Sequence, residues 1–128
     1  MISDTFLPDE LAEQLRANGC GPDSDHLPVV KFFNPAGPAT WLATELAGDC
    51  DTLFGLADLG FGCPELGTFS LAELRTIRLP FGLSIERDKF FSTEFRLSAW
   101  AEAARAGGSI ATAEQILAAA ARSRLADP

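Results

Sequence analysis

An α+β domain built on an antiparallel meander is the fold class predicted for this 128-residue chain, and three observations carry it. Apolar and polar residues alternate over short runs in the first half of the chain. Clusters of turn formers only a few residues long separate those runs. At both ends of the chain, apolar residues instead recur at helical spacing. The expected sheet has three to four strands, flanked by an N-terminal helix, a capped helix after the last strand and a C-terminal helical hairpin. A chain of this length buries roughly two-thirds of the surface its unfolded form exposes, so one core can form without disulfides or metals. No solenoid-length repeat or low-complexity linker divides it, which predicts a single domain over 1–128.

The first helix is expected over 8–18. Leu11 and Leu15 share a face, Pro8 suits the first turn, and Asp9, Glu10 and Glu13 favour the positive end of the helix dipole. Gly19 stands where helices commonly stop. Residues 21–28 read as an irregular polar linker with His26 facing solvent. Strands follow at 29–33, 40–47 and 52–59, with a short fourth at 65–69; the connections are too brief for parallel crossovers. Alternation then predicts one core face made of Val30, Phe32, Leu42, Leu46, Phe54 and Leu56. The opposite, outer face would hold Lys31, Phe33, Trp41, Glu45, Gly55 and Ala57, because the inverse choice would bury Lys31 and Glu45.

Ser70 and Glu73 form a capping box for a helix running to about Arg78, whose stripe of Leu71, Leu74 and Ile77 is suited to packing on the sheet. Pro80 ends it, and the segment from Phe81 to Phe91 is expected to cross back as extended or looped chain. Alanine-rich helices are predicted over 97–105 and 113–125, joined at Gly107-Gly108, with Thr112 and Gln115 capping the second.

Apolar residues are 47% and charged residues 22% of the chain, which is ordinary globular usage. The net charge of −8 is unevenly spread: 1–64 hold ten acids against Arg16 and Lys31, whereas 65–128 hold eight acids and eight bases. An acidic half repels phosphate backbones, which argues against non-specific nucleic-acid binding there and suits a basic partner. Solubility is the plainer explanation of the same charge. Cys20, Cys50 and Cys63 form no Cys-x-x-Cys pair and His26 is the sole histidine, so neither a disulfide framework nor a zinc site is expected. Reduced cysteines, an N-terminus lacking a basic n-region and the absence of a membrane-length apolar run predict a cytoplasmic protein.

Five blocks in order, Val30-Lys-Phe-Phe-Asn-Pro35, Trp41-Leu-Ala-Thr-Glu45, Thr52-Leu-Phe-Gly-Leu56, Glu65-Leu-Gly-Thr-Phe-Ser-Leu-Ala-Glu-Leu74 and Leu83-Ser-Ile-Glu-Arg-Asp88, resemble a bacterial family, number 2958 among the domains of unknown function. The resemblance covers about 7–91 as the family core and falls off over 92–128, a helical appendage. Ser84 departs from the family's usual Pro. The resemblance implies a setting on plasmids and other mobile DNA, sometimes near antirestriction or DNA-processing genes, and no activity, cofactor or catalytic residue.

Candidate binding residues are Lys31, Trp41, Glu45, Asp49, Asp51, Asp58 and Arg87. An exposed Trp41 above small Gly55 and Ala57 would anchor a ligand or partner, with Lys31 and Glu45 orienting it. The competing reading covers Trp41 with the C-terminal hairpin and pairs Lys31 with Glu45. In the run Glu86-Arg87-Asp88 the two carboxylates share a face and Arg87 points away, which suits an Arg tied to a neighbouring acid better than an acid-base pair. Ser70 lacks a histidine partner and Gly60-Phe-Gly62 lacks the spacing of a phosphate loop. No catalytic residue, metal ligand or cofactor is assigned.

The functional expectation is a non-enzymatic protein-interaction protein of a mobile element. One version is an acidic nucleic-acid mimic acting against a restriction or CRISPR nuclease, drawing on Asp4, Asp9, Glu10, Glu13, Asp23, Asp25, Asp49, Asp51 and Asp58. The rival is a ligand-binding or enzymatic accessory in DNA metabolism using the Trp41 face. Homodimerisation through the C-terminal helices is compatible with both.

Overall fold

The computed structural model describes residues 6–21 and 24–126. Five antiparallel strands, β1 (Val30–Phe33), β2 (Thr40–Leu46), β3 (Thr52–Asp58), β4 (Glu65–Ser70) and β5 (Glu86–Arg87), form one sheet in the order β4-β3-β2-β1-β5. Helices α1 (Asp9–Cys20) and α2 (Leu71–Thr76) lie on one face, and α3 (Leu97–Gly107) with α4 (Ile110–Ala126) cover the other. The fold is α+β as predicted, with a fifth strand. β5 is a two-residue ladder on β1, pairing Phe32 with Arg87 and Phe33 with Glu86, too short to leave a period-two signal.

The sheet is buried on both sides, which corrects the expected division into core and outer faces. The pairs Val30↔Ala43 and Phe32↔Trp41 put Trp41, not Leu42, beside Phe32. With Leu15, Leu46, Leu53, Leu71 and Leu74 these residues make the core beneath α1 and α2. Leu42 and Leu56 pair across β2 and β3 on the opposite face and pack with Trp100, Ala104, Ile110 and Leu117 from the helical hairpin. The register fails to alternate throughout because Thr44 bulges between Ala43 and Glu45, returning Leu46 to the α1 side. The bulge is fully buried and satisfied: Thr44 Oγ1 donates to the Phe54 carbonyl at 3.3 Å, and Asn18 Nδ2 of α1 donates to the Thr44 carbonyl at 2.9 Å. Beside it, a Cβ on Gly55 would collide with the Leu42 carbonyl oxygen. Gly55 is therefore required for close strand approach, not as the floor of a depression.

Aspartates fasten the connections. Asp49 accepts from the N–H groups of Asp51 and Thr52 and from the Thr52 hydroxyl, closing the β2–β3 turn. Asp51 accepts from Ala72 N–H and the Ser70 hydroxyl, while Ser70 Oγ accepts from Glu73 N–H as the expected cap of α2. Asp25 accepts from both the N–H and the hydroxyl of Ser98, capping α3. His26, expected to face solvent, is half-buried, and its carbonyl accepts from Leu97 N–H. Asp58, only 1% exposed, accepts from Gly60 N–H and, at 2.9 Å, from Ile110 N–H at the start of α4. That helix begins at Ile110, earlier than the sequence suggests, because Ser109 rather than Thr112 caps it: Ser109 Oγ accepts from Thr112 N–H at 3.0 Å.

The 79–83 turn carries strain. Leu83 N–H donates to the Pro80 carbonyl with Phe81 (φ 63°, ψ 25°) and Gly82 (φ 74°) both left-handed, the geometry of a type I′ turn. Phe81 holds that conformation with its ring almost wholly exposed.

Three outcomes follow from these contacts. Asp58→Ala leaves the buried Ile110 N–H without its acceptor and should lower stability to urea by about 1–3 kcal/mol. Phe81→Asn relieves the left-handed strain and should raise stability by about 1 kcal/mol in the same measurement. The Thr52 hydroxyl, helped by the Thr52 and Asp51 N–H groups, holds Asp49 down at about 2 from an ordinary 3.8. Bonds from Ser98 likewise lower Asp25. Depressed carboxylates stabilise the fold above their unfolded values and lose that contribution as pH falls through the folded ones. The urea midpoint should therefore decline from about pH 4 toward pH 2, and Asp49→Asn should flatten that decline.

Candidate functional site

The candidate binding residues of the sequence do not converge. Trp41 is 6% exposed in the core beneath α1 and α2, whereas Lys31 pairs with Leu42 on the α3–α4 face. Lys31 Nζ meets Glu114 Oε1 of α4 at 2.6 Å and Asp88 Oδ2 at 3.9 Å, so it clamps α4 to the chain after β5 and is not paired with Glu45. Glu45 is half-buried opposite Phe54, near the end of α1. Trp41 is covered, but from the α1 side and not by the hairpin. With the indole buried and Lys31 on the other face, the Trp41–Lys31–Glu45 ligand site is not formed. Glu86 and Asp88 do lie on the Lys31 side, and Arg87 opposes Phe32 on the other.

The acids are similarly dispersed. Asp25, Asp49, Asp51 and Asp58 are each bonded to backbone N–H groups, and Asp58 is buried, so it offers no carboxylate to a partner. Asp9, Glu10 and Glu13 are exposed on α1, while Asp4 and Asp23 lie outside the described residues. Among the described residues no group of three or more His, Cys, Asp or Glu could hold a metal ion, and no helix is long and apolar enough to cross a membrane.

A different surface comes together at one end of the sheet. The β1–β2 loop (34–39) and the β3–β4 loop (59–64) emerge at the same end because β1 and β3 run in the same direction. The bond from Ile110 N–H to Asp58 brings the α3–α4 turn (108–109) there as well. None of these fourteen residues is charged. Gly60 (φ 93°) rests against the Pro38 ring, where a Cβ would lie 2.6 Å from Pro38 Cγ, so two of the loops form one surface. Phe61 stands on it 84% exposed, with Leu59 also exposed. A cleft of about 500 Å³ runs from this loop down between β4 and α3, lined by Leu56, Ala101, Arg105 and the chain from Gly62 to Leu66, Glu65 included. Leu66 is 46% exposed within it.

Phe61, Leu66 and Arg105 were not among the residues the sequence singled out. One signal was readable: 34–39 and 59–64 are free of charge inside the half that carries all the net charge. That both loops share one end of the sheet follows from the meander. The part played by Arg105 depends on how the hairpin docks, which the sequence left open between the sheet and a second subunit.

Neither a curated protein nor a solved structure matches the chain. A family model described as "Protein of unknown function (DUF2958)" matches residues 6–111. It continues past the blocks ending near residue 91 and takes in α3, the helix that covers Leu42 and Leu56. With most of its length matched, from the segment before α1 to the first turn of α4, the chain belongs to the DUF2958 family.

Proposed function

We propose that this is a non-enzymatic protein-interaction protein that docks a partner on the uncharged end of its sheet. The supporting observation is the exposed Phe61 with Leu59 and Leu66 around a charge-free pair of loops, on a chain whose net charge is −8. Contiguous apolar surface without charge is the usual composition of an interface centre, with aromatic side chains supplying most of the binding energy. Phe61 has no core contact to explain it: it contributes to neither cluster of buried side chains.

The narrower reading, a mobile-element protein mimicking nucleic acid against a defence nuclease, draws support from the exposed Asp9, Glu10 and Glu13 on α1 and the fixed negative charge of Asp49. The two readings place the partner on different surfaces.

A photo-crosslinking residue substituted at Phe61 or at Glu10 separates them. Docking on the uncharged end predicts a protein adduct in host lysate from position 61, lost on Leu59→Ser, with stability changed by no more than about 0.5 kcal/mol. Adducts from position 10 alone, abolished by Glu13→Lys, would transfer the interaction to the acidic helix.

A further inference from the structure

We infer that the cleft between β4 and α3 receives the extended C-terminal peptide of a partner protein, its last side chain apolar and its terminal carboxylate beside Arg105. This rests on the uncharged end being the interaction surface and names the class of partner it takes.

The two edges of the sheet are unlike. β5 offers two residues, whereas β4 offers six in unbroken register with β3 and, among the described residues, no partner strand on its other side. Sheet edges are ordinarily blunted by lysine, proline or a bulge. β4, Glu65-Leu-Gly-Thr-Phe-Ser70, has none of these and only one charged residue, Glu65 at its first position. A segment laid antiparallel on that edge would continue the ladder and turn alternate side chains toward α3, into the space bounded by Leu56, Leu66 and Ala101. Its C-terminus would then arrive at the start of β4, beside the 59–64 loop.

The charges there fit a carboxylate. Arg105 lines the upper cleft, and its side chain makes no ion pair or hydrogen bond with a described residue. Glu65 also borders the cleft, but its register with Ala57 and Trp41 places its side chain on the opposite face of the sheet. The N–H groups of Phe61, Gly62 and Cys63 donate to no described residue, and Gly60 and Gly62 are left-handed, a backbone suited to anion-binding concavities. Capture of a terminal carboxylate by loop amides, with strand addition alongside, is an established mode of peptide recognition.

The test uses fluorescein-labelled hexapeptide pools ending in Leu, Val, Ile or Phe, as free acids and as C-terminal amides, with binding read by anisotropy and by amide shifts of the full-length protein. The free acids should bind and shift residues 61–70. Amidation should weaken binding at least tenfold, and Arg105→Gln, at an exposed position, should do the same with an unchanged urea midpoint. Equal binding of acids and amides, no binding, or shifts elsewhere would overturn the inference. So would a solution dimer with β4 amides protected from exchange, which gives the edge to a second copy. If the peptides fail while position 61 still crosslinks a partner, the interaction reading stands without this one; if both fail, both are lost.

Discussion

Two-sided burial of the central strands is the constraint on which the rest of the structure depends. In β2 the run from Trp41 to Thr44 is buried at every position, and in β3 Leu53, Gly55, Leu56 and Asp58 are buried. A strand of this kind cannot border solvent, so helices must lie on both faces. α1 and α2 supply one cover and the hairpin the other. Between the two cores the sheet is thin enough that Gly55 lies against the Leu42 carbonyl, and the carbonyl of the bulged Thr44 is taken up by Asn18 of α1.

Carboxyl groups solve the problem that this layering creates. Each helical layer must be held to the sheet at its ends, where chain direction reverses and helix N–H groups lack intrahelical partners. Asp25 serves α3, Asp51 serves α2, and Asp58 serves α4 from inside the sheet. Three of the ten acids of the first half are thus committed to joining elements distant in sequence, so net charge alone does not map onto free surface charge.

The strands, the capped helix and the hairpin were legible because each rests on local chemistry: alternation, Ser70 with Glu73, and the Gly107-Gly108 turn. The face assignment was not. It assumed that Lys31 would need open solvent, but the ammonium ends at the rim of the helical layer, where Glu114, 83 residues away and partly exposed, pairs with it. It also assumed uninterrupted alternation, and a one-residue bulge at Thr44 carries no compositional mark. Trp41 consequently moved from a candidate anchor to a core residue. The uncharged surface proposed for docking depends on the juxtaposition of loops and α3, which only the completed fold brings together.

The unequal edges of the sheet also bear on stoichiometry. A sheet with two long open edges can add copies indefinitely and grow into a fibre, whereas one bordered by the two-residue β5 offers a long ladder only at β4. Whatever strand takes that place, the long ladder is used up there: one guest per chain, or two chains joined back to back with only the two-residue β5 edges remaining. The brevity of β5, a minor detail of the topology, is what makes an exposed six-residue edge compatible with a discrete particle in a crowded cell.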